Sequence, residues 1–462
     1  MSLSSNEIRE KYINYFKEKG HEMVPSAPLV LQNDPTTLFT GSGMQPMIKY
    51  LLGERYPSGS SRIVDSQKCF RAVDIDEVGN NRHTTFFEML GNWSFGDYWK
   101  EEQLRWIFEF LVDELKLDPK KLFVTVFEGD EKNGIAKDTE SAEIWERLFK
   151  EKDIEAKVGE RIFYYGVEKN WWSRAGSPDI MPVGEPGGPD SEIFYEFDIE
   201  HDPKFGEKCH PNCDCGKYLE IANSVFMQFK KVGEGKFEKL PQQNVDFGGG
   251  LERIAAAVND NADVFTTDLY APLIQVIEDA TGVKYVESGN KGKMQIVADH
   301  LKAATFLIDE GVIPTNKTQG YLLRRLIRRS VVKMYELGDG LYKVEDFGVL
   351  CGKVVDIYGL SFFRNPNIKE LAREVVEGEV GKFGKSLEKG WKEIEKKEPS
   401  EIDAAFAFDL YQTHGFPFEI TREILAEKDV VISEEAFKAE MEKHSNLSRS
   451  TSADTFKDSL GS

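Results

Sequence analysis

The stretch CFRAVDIDEVGNNRHTTFFEMLGNWSFGDYW, residues 69–99, decides the fold. Arg71 is followed by an acidic turn containing Gly and Asn, and then by an aromatic strand predicted over His83–Phe87. This order predicts a hairpin of two strands and a loop. An arginine at the end of one strand that faces aromatic rings on the other would hold a phosphate beside a flat heterocycle, the two parts of a nucleotide. A core hairpin whose aromatic rings simply pack together is the alternative.

A second stretch, VDFGGGLERIAAAV over residues 245–258, has the pattern of a strand, a glycine turn and a helix. Val245 and Asp246 are predicted to end the strand, and the helix is predicted to begin near Leu251. Arg253 would then lie in the first helical turn, where the helix dipole disfavours a cation unless an anion such as phosphate compensates it. An arginine that only reaches into solvent is the alternative.

The length of 462 residues exceeds what one hydrophobic core usually supports. A helix is predicted over Asn6–Lys19, and strand-like runs such as Leu122–Phe127 then mix with helical ones. We therefore predict an antiparallel α+β domain at residues 1–258. The pattern is almost entirely helical at residues 259–450, which predicts an all-α domain, and the polar residues 451–462 are predicted to form a linker-like tail.

A net charge of −21 argues against a protein that coats nucleic acid with a broad basic face. A local basic site is still present in GYLLRRLIRRSVVKMY, residues 320–335, which predicts a helix. This helix would carry four arginines within an arc of about 140°. They are Arg324, Arg325, Arg328 and Arg329. The absence of an acid among them favours phosphate binding, and a solvated charged face is the alternative.

Three of the five cysteines lie close together in HDPKFGEKCHPNCDCGKY, residues 201–218. Cys209, Cys213 and Cys215, completed by His201 or His210, would form a tetrahedral set for structural zinc. Unligated cysteines in a loop are the alternative, because CxxxCxC is not a common zinc spacing. No apolar run is long enough to cross a bilayer and no secretory signal is recognisable, so a cytoplasmic protein without a membrane partner is expected.

Walker A, GxGxxG and GxSxG signatures are absent from the sequence. The two stretches instead resemble motifs 2 and 3 of class II aminoacyl-tRNA synthetases, and HTTFFEMLGNWSFGDY is similar to the alanine-specific members. GGPDSEIFYE, YLEIANSVFMQF, EGVIPTNKTQGYLLRR and YQTHGFPFEIT resemble the same family in its order. The resemblance covers essentially the whole chain. It implies a class II antiparallel sheet flanked by helices, followed by an all-α tRNA-recognition domain.

For the reaction, the resemblance implies ATP-dependent formation of alanyl-adenylate and transfer of alanine to the 3′-terminal adenosine of tRNA(Ala). By match to motif 2, Arg71 would hold the α-phosphate and the alanine carboxylate, and Phe87 would stack on adenine. By match to motif 3, Arg253 would hold the γ-phosphate. Glu220 and Asn223 match the positions expected to coordinate Mg²⁺ between the outer phosphates.

The alanine pocket is likewise implied by the resemblance. Asp246 would pair with the α-ammonium group, and a small pocket around the methyl group would be formed by Trp172, Val225 and Gly248.

The resemblance also implies that the helical half reads a G:U wobble pair in the acceptor stem of the tRNA. Asn316 and Glu419 match the positions that approach this pair, and both residue types suit minor-groove readout. Helix or turn capping is the alternative for both. No HxxxH pair with a distant Cys and His is present, so the family's editing domain and its dimerisation module are expected outside this chain, which should then be a monomer.

Two other functions remain open at this point. A ligase could deliver an activated amino acid to a small molecule or carrier protein, although the arginine helix with Asn316 and Glu419 argues against it. A catalytically silent tRNA-binding protein is the second. It would usually have lost a phosphate-binding arginine, whereas Arg71 and Arg253 are both present.

Overall fold

The computed structural model describes residues 3–30, 38–287, 289–426 and 428–444. The predicted tail at residues 451–462 lies outside them. The helices are α1 (Ser5–Glu18), α2 (Ile48–Leu51), α3 (Lys100–Glu109), α4 (Thr139–Lys150), α5 (Leu251–Val258), α6 (Ala271–Thr281), α7 (Lys291–Asp309), α8 (Thr318–Leu337), α9 (Val344–Tyr358), α10 (Ile368–Glu395), α11 (Ala404–His414) and α12 (Phe418–Ala426). The strands are β1 (Glu22–Met23), β2 (Arg62–Phe70), β3 (Phe86–Phe95), β4 (Leu122–Phe127), β5 (Ile162–Tyr165), β6 (Trp171–Trp172), β7 (Pro186–Glu196), β8 (Tyr218–Gly233) and β9 (Lys236–Gly250).

The strands form one sheet in the order β1-β2-β3-β9-β8-β7-β4-β5, with β6 paired to β7 beside this path. Pairing is antiparallel except between β1 and β2 and between β4 and β5, at the two edges. Every regular element after β9 in the described ranges is helical. The predicted α+β class, with an antiparallel sheet followed by a helical region, is confirmed.

Strand β3 shows how the sheet separates its core face from a cleft face. Phe86 and Leu90 are fully buried in the main core, and the Phe86 ring stacks on Phe306 of α7 with centroids 3.9 Å apart. Alternate residues point to the opposite face, which carries Phe87. The predicted hairpin with β2 is confirmed, but the strand begins at Phe86 rather than His83. The amide of Thr85 donates instead to Asp299 of α7 at 2.9 Å.

The glycines after Asp246 are strand residues, so the prediction that the strand ends at Asp246 is wrong. Strand β9 continues to Gly250, and these glycines pair with β3. A side chain at Gly248 would place its Cβ 2.8 Å from the sulfur of Met89. The glycines therefore permit close packing inside the sheet, and helix α5 follows at Leu251, where it was predicted.

The helical region packs directly against the sheet, since α7 contacts β3 and the main core includes residues of both. Among the described residues, no helix has both the length and the apolar composition that a membrane crossing requires.

Candidate active site and helical-region cavity

A cavity lies where the β2–β3 hairpin faces the start of α5. Five of the predicted residues line it, namely Arg71, Phe87, Glu220, Gly248 and Arg253. The exposed Arg71 guanidinium lies 4.9 Å from the centroid of the Phe87 ring, and its Nε donates to the carbonyl of Gly41 at 2.8 Å. The hairpin thus places a cation directly beside an accessible aromatic face, as the sequence pattern predicts.

Arg253 lies in the first turn of α5 and already has an anionic partner within the protein. Its Nη1 donates to the backbone oxygen of Glu220 at 3.0 Å and to Glu220 Oε2 at 3.1 Å. Both side chains remain about one-third exposed. The pair is therefore open to exchange with a ligand, because exposed ion pairs are weak.

Glu220 and Asn223 lie three residues apart on β8, which in a regular strand would point them to opposite faces. A register shift against β7 falls between them, since Ala222 pairs with Ile193 and Glu220 with Phe194. Such a bulge inserts an extra residue and can turn both side chains to one face. Asn223 donates to Asp190 at 3.3 Å, and its Oδ1 is buried without a partner among the described residues. A carboxylate and an unpaired amide oxygen are suitable donors for Mg²⁺.

The predicted alanine-binding residues lie together on the cleft face. Val225 pairs with Asp246, and Asn223 pairs with Gly248 in the same ladder. Trp172 packs against a hydrophobic cluster that contains Val225 and Trp93. Asp246 is 7% exposed and accepts a hydrogen bond from Trp93 Nε1 at 2.6 Å. Burial raises the pKa of Asp246 to about 7, although the Trp93 bond acts in the opposite direction.

Sequence reasoning missed Trp93 and Met89, which complete this pocket. Counting every second residue from Phe87 along β3 reaches both of them, so strand alternation alone could have identified them. It also missed Asp190, which anchors Asn223 and lies in the segment GGPDSEIFYE. Burial raises the pKa of the Asp190 carboxyl.

A second cavity of about 570 Å³ lies in the helical region. It brings together Asn316, Glu419 and the arginines Arg324, Arg325 and Arg328. Asn316 is exposed and its Oδ1 accepts a hydrogen bond from Arg324. Polar acceptors and guanidinium groups thus share one concave surface, a combination that suits phosphate and base edges of RNA.

The four arginines of α8 do not form an unpaired basic face. Arg328 Nε donates to Glu379 at 2.6 Å, and Arg325 Nη2 donates to Asp76 at 2.6 Å. Arg329 is 5% exposed and does not line the cavity, so the predicted phosphate-binding set is wrong for this residue. The sequence of the arginine segment could not reveal these acidic partners, because they belong to α10, α12 and the β2–β3 loop.

The cysteine segment folds into one compact cluster. Ligand atoms of His201, Cys209, Cys213 and Cys215 all lie within 4.8 Å of one another. The sulfurs of Cys209 and Cys215 are 3.4 Å apart, and Cys213 Sγ lies 3.7 Å from His201 Nδ1. The other candidate, His210, bonds to the Tyr165 hydroxyl instead. Tetrahedral zinc with Zn–S bonds of about 2.3 Å needs S···S separations of about 3.8 Å, so this arrangement fits the ion.

Comparison with known proteins identifies the family. The model of tRNA synthetases class II (A) matches residues 7–460. Alanine–tRNA ligase of Borrelia hermsii is 40% identical over 99% of this chain and 75% of its own length, and that of Treponema denticola is 41% identical over 99% and 75%. Alanine–tRNA ligase of Thermotoga maritima is 39% identical over 98% of this chain and 50% of its own length. The chain therefore belongs to the class II aminoacyl-tRNA synthetases, a family of ligases, and to its alanine branch.

Proposed function

We propose that the chain activates alanine with ATP and transfers it to the 3′-terminal adenosine of tRNA(Ala). The observation that carries the proposal is the cavity in which Arg71, Phe87 and Arg253 meet above Gly248. A nucleotide needs an aromatic face for its base and cations for its phosphates, and this cavity provides both. The relatives named alanine–tRNA ligase support the choice of amino acid and RNA.

In the activation step, the alanine carboxylate attacks the α-phosphate of ATP and pyrophosphate leaves. Arg71 would bind the α-phosphate and the carboxylate, Phe87 would stack on adenine, and Arg253 would bind the γ-phosphate after releasing Glu220. Catalysis would consist of positioning and of neutralising charge on the phosphates, without a covalent enzyme intermediate. The alanine ammonium would pair with Asp246, between Trp172 and Val225.

The proposal includes magnesium at Glu220 and Asn223. Bound there, Mg²⁺ would neutralise part of the charge on the phosphates of ATP. Glu220 would supply a carboxylate oxygen and Asn223 its unpaired Oδ1.

Alanine-dependent exchange of labelled pyrophosphate into ATP tests the activation step. Arg71→Ala should lower the exchange rate about 100- to 1000-fold, the effect of losing one preorganised charge-stabilising group. Arg373→Ala is the matched control, because the Arg373 side chain is 59% exposed and lies outside both cavities. Exchange that is absent in the wild type, or equally strong with serine, glycine and alanine, would contradict the proposal.

We further propose that the helical region, residues 259–450, reads a G:U pair in the tRNA acceptor stem through Asn316 and Glu419. Arg324, Arg325 and Arg328 would contact nearby phosphates. Glu419→Gln should reduce the preference for a G:U over a G:C stem in aminoacylation, because it removes a charged acceptor for the guanine amine. An unchanged preference would remove Glu419 from this role.

The His201, Cys209, Cys213 and Cys215 cluster is proposed to bind structural zinc. Its geometry supports this, and Asp214 between two of the ligands forms an ion pair with Arg82 of the β2–β3 loop at 2.9 Å. Purified protein should contain about one equivalent of zinc by mass spectrometry, and Cys213→Ser should lose it. Cys351→Ala is the control, because Cys351 is a buried cysteine outside the cluster. Less than about a tenth of an equivalent in the wild type would refute the site.

A further inference from the structure

A buried chain of hydrogen bonds runs from α12 to the β2–β3 hairpin. Arg329 Nε donates to Glu423 of α12 at 2.7 Å, and Arg329 Nη1 lies 3.0 Å from His300 Nε2. His300 Nδ1 lies 2.9 Å from Asp299 Oδ2, which accepts from the Thr85 hydroxyl at 2.6 Å. Thr85 is the residue before β3, and its carbonyl accepts from the amide of Arg71 at 2.9 Å.

The proton positions in this chain follow from chemistry. A guanidinium can only donate, so His300 Nε2 must accept from Arg329 and His300 must carry its proton on Nδ1. That proton is donated to Asp299, a carboxylate. Burial lowers the pKa of His300, which agrees with a neutral ring. Burial alone would raise the pKa of Glu423, but Arg329 and Lys333 lower it to about 2. These hydrogen bonds therefore form one polar network with a single assignment of donors and acceptors.

The network also holds the β2–β3 loop from its other side. Arg329 donates to the backbone oxygen of Ile75 in this loop. One turn earlier on α8, Arg325 pairs with Asp76 of the same loop at the protein surface. Helix α8 is thus fixed to the loop by one buried and one exposed contact.

The two ends of the network lie at the two proposed sites. Glu423 is one helical turn after Glu419, which lines the cavity of the helical region. Asp74, His83 and Thr84 of the loop line the cavity that contains Arg71, and Thr85 directly follows Thr84 in the sequence. Movement of α12 or α8 on binding an acceptor stem would therefore shift the loop, because buried hydrogen-bonded groups do not separate without large cost.

We propose that His300 is a positioning residue that couples acceptor-stem recognition to the rate of alanine transfer, by holding the β2–β3 loop in register with α12. This inference rests on the proposed function and deepens it. His300 contacts no substrate. It acts through Arg329 on one side and Asp299 on the other.

The inference predicts different effects on the two steps of the reaction. Arg71 has its own anchors at Gly41 and Phe87, so activation without tRNA should persist in a His300 variant. The transfer step depends on the register of loop and helix. His300→Gln keeps an acceptor near Nε2 but loses the donor to Asp299, and His300→Asn keeps the donor but loses the acceptor.

Transfer rates to two tRNA substrates, with a G:U or a G:C pair in the acceptor stem, test this. Both His300 variants should reduce the ratio of the two rate constants by roughly 2- to 30-fold, while pyrophosphate exchange changes less than about 2-fold. Asp76→Asn, a surface substitution that leaves the core intact, should reduce the same ratio. Ser330→Ala is the control, because Ser330 is buried on α8 but its hydroxyl bonds only to the Leu326 carbonyl.

Equal loss of exchange and transfer on both stems, together with a lower Tm, would overturn the inference by reducing His300 to a structural role. An unchanged ratio in the His300 and Asp76 variants would overturn it as well. Wild-type protein that exchanges pyrophosphate with alanine but shows no preference between the stems would refute the G:U readout, and the inference with it. Absence of exchange in the wild type would instead refute the proposed activation chemistry.

Discussion

Lowering the pH should weaken alanine binding, because Asp246 must be ionised to pair with an ammonium group. Burial raises the pKa of this carboxyl to about 7. With that value, about 90% of the Asp246 carboxyls are ionised at pH 8 and about 10% at pH 6. The ammonium of alanine stays charged over this range. The KM for alanine should therefore rise about tenfold between pH 8 and pH 6.

Asp246→Asn separates the charge from the shape of the pocket. The amide oxygen can still accept from Trp93 Nε1, but the negative charge is gone. The KM for alanine should rise roughly 10- to 150-fold at pH 8, the value of a hydrogen bond to a charged group. The KM for alanine should also lose its dependence on pH, since neither the new amide nor the alanine ammonium titrates between pH 6 and pH 8.

The same substitution should stabilise the fold. The pKa of Asp246 rises from 3.8 to about 7 on folding, so the stability this group contributes below pH 4 is lost as the pH rises through 7. Asp246→Asn should therefore increase the free energy of unfolding at pH 8 by up to about 4 kcal/mol, and by little at pH 4. A more stable protein that binds alanine poorly cannot be explained by misfolding.

The assay is alanine-dependent pyrophosphate exchange at saturating ATP between pH 6 and pH 8, with the KM for ATP as the control. Thermal unfolding of both proteins at pH 4 and pH 8 accompanies it. A flat alanine KM in the wild type, or an Asn variant that keeps the wild-type slope, would refute the assignment of Asp246. A lower Tm for the variant at pH 8 would refute the burial argument.

Three further predictions concern neighbouring residues. Asp65 is 1% exposed, and neither of its carboxyl oxygens has a hydrogen-bond partner in the described part of the chain. Burial raises the pKa of this carboxyl. Asp65→Asn should therefore raise the Tm at pH 8 and leave it unchanged at pH 4. A Tm that rises equally at both pH values would contradict this. Gly248→Ala should raise the KM for alanine, because the new Cβ would displace Met89. Gly352→Ala is the control and should leave the KM unchanged, since open space surrounds the Cβ position there. Equal effects of the two substitutions on the KM would exclude a steric cause. Phe87→Leu should raise the KM for ATP several-fold, whereas Phe87→Tyr should not, because only tyrosine keeps a ring that can stack on adenine. An unchanged KM for ATP in the Leu variant would show that the Phe87 ring does not bind adenine.

The hairpin was predictable because its signals are local. Arg71, the Gly and Asn turn and the aromatic run all lie within residues 69–99, and strand pairing follows from their order. The glycines after Asp246 were wrongly predicted to form a turn, for a different reason. Glycine is typical of turns, but here it makes room for Met89 across the sheet, a contact that periodicity in one strand cannot show.

The arginine helix α8 shows that the sequence of one segment cannot reveal ion-pair partners from other parts of the chain. Its lack of acids favoured phosphate binding by the four arginines, yet Glu379 and Glu423 pair with Arg328 and Arg329 from distant helices. The cysteine cluster lies between these extremes. Its spacing indicated candidate ligands, but only the fold brought His201 rather than His210 to the three sulfurs.

The cleft face of the sheet carries carboxyl groups towards one end and a guanidinium group towards the other. Four buried carboxyls lie on this face, Asp65, Asp190, Glu192 and Asp246, and burial raises the pKa of each. Their ladder rows include Gly91 and Trp93 of β3, whereas Arg71 lies beside Phe87. Trp93 lies six residues after Phe87, roughly 20 Å along an extended strand. A ligand with a cationic amine at one end and an aromatic base at the other would match this arrangement in a single orientation. In an aminoacyl-adenylate the amine and the adenine lie at opposite ends with the phosphate between them, so its amine would lie at Asp246, its adenine at Phe87 and its phosphate within reach of Arg71.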